Sequence, residues 1–368
     1  MTTQRRDRSP EDFMERRSLL KAGLVLPAAA ALPVGGALLS PAEAAPRVTK
    51  VLARNIDVPW GIAFLPSGDA LVSERDTGRI LRVRKRGGYR SVGRVRGVVS
   101  NASAGGEGGL LGLALHPNFR RNRWVYAFMT SRTDNRVVRM RFRRGRLGKK
   151  QVVLKGIPKA LHHNGGGLAF GPGGHLFIST GDAENASAAQ DRGSLAGKVL
   201  RVTPRGRVPA GNPFGNRTWS YGHRNPEQIT FGPDGRLWAS EFGEKDKDEL
   251  NHIVKGRNYG WPHVEGKDGR GGFRDPLAQW DTDDCSPSGV AVRRGRAWLG
   301  ALQGECVYSV VLSGRRKGRK RRYFAGRFGR IRSVAAAPDG SLWVTTSNRD
   351  GRATPGRTDD RIFRVRID

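Results

Sequence analysis

Acidic residues are scarce in this 368-residue chain. There are 33 Asp and Glu against 66 Lys and Arg, a formal net charge of +33. Such a surface attracts polyanions at low salt whatever its purpose. The densest basic runs, 139–150 (RMRFRRGRLGKK) and 315–322 (RRKGRKRR), hold almost no aromatic rings to stack bases and match no nucleic-acid recognition module. They read as solvated loops able to touch acidic polymers nonspecifically, and specific nucleic-acid binding is not expected. Long apolar runs are missing after residue 45, so no later segment can cross a bilayer as a helix. Sustained helical periodicity is missing there too, which argues against a helical bundle.

The one apolar stretch lies near the start. ERRSLLK (15–21) resembles a twin-arginine export motif; Ala/Leu/Gly/Val-rich chain follows to Leu39, then Ala42-Glu43-Ala44, an A-x-A cleavage pattern. Residues 1–45 are therefore expected to be a cleaved export signal, leaving no stable membrane span and a secreted or cell-envelope domain over 46–368. A retained N-terminal anchor is the other reading, disfavoured because Pro27 and Pro33 interrupt a stretch already short for a span. Only two cysteines are present, Cys285 and Cys306. That is too few for a zinc centre. In an exported chain they predict one disulfide, with two free thiols as the alternative.

Glycine, by contrast, is abundant, at 51 residues. Many glycines fall in turns of a repeated unit, in which an apolar strand, a Pro/Gly/Asp turn and a second apolar strand follow one another. It recurs at 60–75 (WGIAFLPSGDALVSER), 110–130, 166–182 (GGLAFGPGGHLFISTGD), 228–243 (QITFGPDGRLWASEFG), 288–303 and 332–347 (RSVAAAPDGSLWVTTS). PSGD, GPGG, GPDG and APDG are hairpin turns. A spacing of roughly 45 to 60 residues fits one four-stranded blade per repeat. Six repeats predict an all-β, six-bladed propeller of antiparallel blades.

In a propeller, the loops at one end of the axis gather residues far apart in sequence. The loops around these repeats are unusually polar. LHHNGGGLAF (161–170) leads into the third blade, whose second strand ends at Gly181-Asp182. YGHRNPEQ (221–228) leads into the fourth, which is followed by EFGEKDKDEL (241–250) and NYGWP (258–262); GRIRS (329–333) leads into the sixth. Two imidazoles set against permissive glycine backbone suit a site where a small molecule approaches closely. A histidine, a carboxylate, an asparagine, an acidic loop and two arginines are expected to share one pocket.

GEGGLLGLALHP (106–117), HNGGGLAFGPGG, GDAENASAAQDRGSLAGKVLRV (181–202), YGHRNPEQ, the acidic loop with NYGWP, and IRSVAAAPDGSLWVTTS resemble, in order from about Val51 to the C-terminus, the soluble quinoprotein glucose/sorbosone dehydrogenase family. The resemblance implies pyrroloquinoline quinone (PQQ) and calcium as cofactors, a sugar or related alcohol as substrate, and an external electron acceptor. It implies His163 as catalytic base with Asp182 supporting it. Asn225, Arg330 and Arg332 fall on cofactor-contacting positions. So do Glu107 and Gln303, where the family more often carries glutamine and lysine. Gly243 and Glu244 fall where two backbone carbonyls hold calcium, with Asp248 nearby. Neutral imidazole suits removal of a hydroxyl proton, and cationic groups suit a cofactor bearing carboxylates. The rival expectation is a catalytically silent propeller that keeps these loops as scaffold and binds carbohydrate or polyanion.

Overall fold

The computed structural model describes residues 44–269 and 271–368; the expected export signal lies almost wholly outside them. Among the described residues no helix is long and apolar enough to cross a membrane. Six antiparallel sheets form six blades around an axis. Each sequence repeat supplies the first two strands of one blade: Pro59–Phe64 and Ala70–Glu74 in blade 1, Leu110–Leu115 and Trp124–Thr130 in blade 2, and Leu168–Phe170 and Leu176–Thr180 in blade 3. Asn225–Phe231 and Leu237–Phe242 begin blade 4, Pro287–Arg293 and Arg296–Ala301 blade 5, Ile331–Ala336 and Leu342–Thr346 blade 6. The first strand of every blade is innermost. Together these inner strands line an axial cavity of about 320 Å³.

Period-two alternation explains why the blades stack. In the second strand of blade 2, Val125, Ala127 and Met129 join the apolar cluster shared with blade 1, while Tyr126 and Phe128 join the one shared with blade 3. Both faces are buried, as a sheet between two neighbours requires. The basic run at 139–150 obeys the same rule: Met140 and Phe142 are buried, and Arg141 and Arg143 point outward. Hydroxyls near the axis fasten blade to blade. Ser73 Oγ accepts the Gly61 N–H of its own blade and donates to Leu111 O of the next at 2.6 Å. Ser240 links blades 4 and 5 through Ser288 O, and Thr345 links blades 6 and 1 through Pro59 O.

Blade 6 is completed from the other end of the chain. Arg47–Ala53 pairs antiparallel with Ile362–Arg366, with Val51 opposite Phe363. The expected disulfide is not formed: Cys285 and Cys306 are buried free thiols in the apolar cluster between blades 4 and 5. They pack there as small hydrophobes, and burial raises both thiols above the ordinary range.

Two buried titratable groups brace the rim on which the polar loops gather. Lys198, at the start of the third strand of blade 3, is fully buried and donates to the carbonyls of Ala188 (2.7 Å), Ala189 (3.0 Å) and Ala196 (2.5 Å). It does what a bound cation would do, closing the 186–197 loop around a point charge. Burial depresses its ammonium to about 8. Beneath the blade 4 rim, Asn251 Nδ2 donates to both Glu241 (3.0 Å) and Glu249 (2.7 Å), and Glu249 also accepts the Gly266 N–H at 2.6 Å. Burial, then repulsion from Glu241, pushes the Glu249 carboxyl up to about 8.

Each group yields an expected outcome. Lys198→Met leaves three carbonyls without their shared donor and should destabilise the domain by about 3 kcal/mol, measured by denaturant unfolding; a change within error would mean water replaces the ammonium freely. For Glu249, the folded state keeps a proton that the unfolded chain, ionising near its ordinary value, has already lost. Stability should therefore fall as pH rises from about 4.5 to about 8, with no such contribution in Glu249→Gln. Thermal melts of both proteins across that range decide it: the wild type should lose ground steadily against the variant, and a constant gap would refute the assignment.

Candidate active site

Loops leading into the inner strands, and turns joining second to third strands, emerge at the same end of the axis. This geometry brings His163, Asp182, Glu107, Asn225, Arg330 and Arg332 to one mouth. His163 Nδ1 lies 2.8 Å from Asp182 Oδ1. Asp182 is buried and also accepts the Trp261 indole N–H at 2.8 Å and the Glu184 N–H at 2.9 Å. A carboxylate taking three donors acts as acceptor only, so Nδ1 carries the imidazole proton and Nε2 keeps its lone pair. The His163 side chain is 18 % exposed, enough for that lone pair to meet a substrate.

The backbone bringing the imidazole here is strained, and its neighbours hold it. His163 has φ of +53°, uncommon for a residue with a Cβ. Its N–H donates to Glu107 Oε2 at 3.1 Å and its carbonyl accepts from Ala183 at 3.2 Å. Gly165 and Gly181 account for part of the glycine richness. A Cβ on Gly165 would lie 2.6 Å from Gly181 N, and one on Gly181 would lie 2.0 Å from His163 O. Only glycine lets these segments approach so closely. His162 turns the other way, pairing with Glu184 at 2.8 Å.

Across the mouth runs a chain of charges. Arg330 Nε donates to Asp350 Oδ2 at 3.1 Å, and Arg332 donates to Asp350 at 3.3 Å and to Glu227 at 3.2 Å. All four groups are buried. Burial alone would raise the Asp350 carboxyl, but the two guanidiniums outweigh it and hold it below the usual range. For Glu227 burial wins over Arg332 and raises the carboxyl. Arg352 donates to Glu107 Oε1 at 3.4 Å. Below them, Gln228 Nε2 reaches from blade 4 to Trp60 O and Ser333 Oγ, both at 3.3 Å, and floors the mouth above the axial cavity.

Three buried donors at this rim have no partner among the described residues: Asn225 Nδ2, Arg75 Nη1 and Arg224 Nε. Buried donors are almost always satisfied. Leftover donors beside a cluster of arginines suit a ligand rich in acceptor oxygens, as a polycarboxylate is. Asn225 Oδ1 is engaged, accepting the Gly165 N–H at 3.0 Å.

The acidic loop is held by its own buried carboxylate. Asp248 is buried, with Oδ1 accepting the Gly243 N–H at 3.0 Å and Oδ2 the Ser286 N–H at 2.6 Å. Both of its oxygens hold the turn. Burial raises it to about 7. Glu265 Oε2 accepts the N–H groups of Lys245, Asp246 and Lys247 at 2.9 to 3.3 Å. With the turn clamped by its donors, the carbonyls of Gly243 and Glu244 take none of the hydrogen bonds made by the described side chains and loops. Calcium favours such oxygens. Among the described residues no three His, Cys, Asp or Glu side chains gather around a point that could hold a metal, so a cation here would depend on carbonyls and on the bound ligand. Glu244 itself is exposed. Gln303 is also exposed, in the turn after the second strand of blade 5, and joins none of these contacts.

Sequence reasoning missed Glu227, Asp350, Arg75 and Trp261, although Glu227 and Trp261 stand inside motifs it had singled out. A Ser220–His223–Glu241 hydrogen-bond chain, with links of 2.9 and 2.8 Å, has the connectivity of a nucleophile relay. It is wholly buried, with His223 stacked on Tyr259, and no substrate can reach it.

The chain is similar to the PQQ-bound aldose sugar dehydrogenase of Streptomyces coelicolor, with 45 % identity, 88 % of this chain and 98 % of that one covered, and a TM-score of 0.84. It is 31 % identical over 338 residues to aldose sugar dehydrogenase YliI of Escherichia coli, covering 82 % of this chain and 90 % of that protein. To quinoprotein glucose dehydrogenase B of Acinetobacter calcoaceticus it is 32 % identical over 286 residues, covering 67 % and 59 % respectively. Residues 56–355 match the glucose/sorbosone dehydrogenase family throughout, and the chain belongs to that family.

Proposed function

We propose that this protein is an exported, PQQ- and calcium-dependent dehydrogenase that oxidises an aldose sugar or related alcohol at its anomeric carbon and hands the electrons to an external acceptor. The observation that carries the reading is the His163–Asp182 pair, with a free Nε2 opening onto a mouth rich in arginine and unsatisfied donors. Relatives named as aldose sugar and quinoprotein glucose dehydrogenases, one of them solved with PQQ, support it. Residues 1–45 act in this reading as a twin-arginine-type signal.

The chain's own contribution is positioning and proton transfer. His163 Nε2 takes the proton of the hydroxyl on the carbon being oxidised. Asp182 keeps the imidazole in the tautomer that permits this and stabilises the imidazolium that results. PQQ, when bound, supplies the acceptor for the hydride leaving that carbon. Arg330, Arg332 and Asn225 would hold its carboxylates and carbonyls, and the carbonyls of Gly243 and Glu244 would hold calcium beside it. Glu107 acts here by fixing the His163 backbone. Gln303 adds no charge to the cofactor, so the arginines carry that task.

Calorimetric titration of the mature protein with PQQ in calcium buffer, followed by aldoses and an artificial acceptor, tests the proposal. Tight 1:1 binding and sugar-dependent dye reduction are expected. His163→Ala should bind PQQ as the wild type does and lose turnover by about 100-fold or more. Absence of PQQ binding at micromolar concentration overturns the reading; retained sugar affinity would then favour a binding propeller.

A further inference from the structure

Trp261 approaches the base from outside its own blade. The segment carrying it follows the third strand of blade 4, whereas His163 and Asp182 belong to blade 3. Its indole N–H reaches Asp182 Oδ2 at 2.8 Å, the oxygen that His163 does not use. The ring is 8 % exposed, and its position is fixed on several sides. The Trp261 N–H donates to Gly222 O at 3.0 Å, its carbonyl accepts from Gln190 Nε2 at 2.6 Å, and the Arg224 guanidinium lies 5.5 Å from the indole centroid. Packing alone would be satisfied by any aromatic ring. The aim of the one polar atom at a carboxylate already holding an imidazole is not explained by packing.

We propose that Trp261 is a positioning residue that sets both the orientation and the basicity of His163 through Asp182. The inference rests on the reading of His163 as the base. With both oxygens engaged, the carboxylate cannot rotate away from Nδ1. An indole donor on Oδ2 also draws charge from Oδ1, which weakens the hold of Asp182 on a positively charged imidazole. The other charged or titratable groups facing this pair are Glu107 on the His163 N–H, with Arg352 behind it, His162 with a ring centroid 6.4 Å away, Glu184 beside Asp182, and Arg224, whose carbonyl accepts the Asp182 N–H at 2.8 Å. None of them bonds Asp182 Oδ2.

The test is an NMR titration of the imidazoles in cofactor-free protein, so it is decided even if sugar oxidation is not the activity. In Trp261→Phe, which keeps a ring but loses the donor, the His163 midpoint should rise by about half a unit to one unit. If PQQ-dependent turnover is present, the acid limb of its pH profile should move up with it, while PQQ affinity stays unchanged. An unmoved midpoint overturns the proposal. If the variant does not fold, the wild type decides: the Trp261 indole N–H resonance should titrate with the His163 midpoint, and an indole signal indifferent to that titration refutes the link.

Discussion

Every sheet in this protein must bury both of its faces, and a flat row of sheets would leave two faces bare. Closing the row into a ring removes those bare faces, and the remaining architecture follows from that closure. The alternation within each strand divides side chains between two neighbours, as Tyr126 and Ala127 do on successive positions. The ring turns all inner strands the same way, so loops leading into them share one rim. Residues from positions as distant as Glu107 and Arg352 then meet across the axis. The site is thus a by-product of closure: its members meet because their blades converge on one axis.

Charge is distributed unevenly around this frame. The strongly basic composition belongs to outer strands and turns, where guanidiniums stand in water or lie over rings such as Trp124. At the mouth the balance is different. Arg330 and Arg332 are matched by Asp350 and Glu227, Arg352 by Glu107, and Arg75 by Asp76. Buried ions demand such matching. A ligand with several carboxylates would enter a preorganised network rather than a bare cationic pit, which favours recognition by geometry over attraction by net charge.

The fold was largely legible because its signals are local. Turns such as GPDG sit between alternating apolar strands, and each marked hairpin is present. Closure by the first strand was not legible, since nothing in 47–53 names its partner. His163, Asp182, Asn225, Arg330 and Arg332, singled out through their places in motifs, lie together at one mouth. The orientations of Gln303 and Asp248 were not legible. Position in a loop does not fix which way a side chain turns: Gln303 faces solvent, and Asp248 turns inward to cap backbone N–H groups. Trp261 escaped because its contact with Asp182 runs between separate blades, and Asp350 because it lies in a turn beyond its strand and reaches Arg330 and Arg332 only once blade 6 has folded. The cysteines misled for the same reason, since nearness in sequence says nothing about where two sulfur atoms point.

The strand that completes blade 6 has a further consequence, which concerns time. Arg47–Ala53 is among the first parts of the domain to be synthesised, and its partner Ile362–Arg366 is the last. Blades 1 to 5 are each local in sequence and can form as an open arc while the chain lengthens. The ring itself can lock only after Ile362–Arg366 has been made. Until then the outermost blades present unpaired edges and bare apolar faces, the features that invite association with other chains. Such a molecule has its greatest exposure to misassembly just before that strand emerges, and any route that carries it already folded must wait for it.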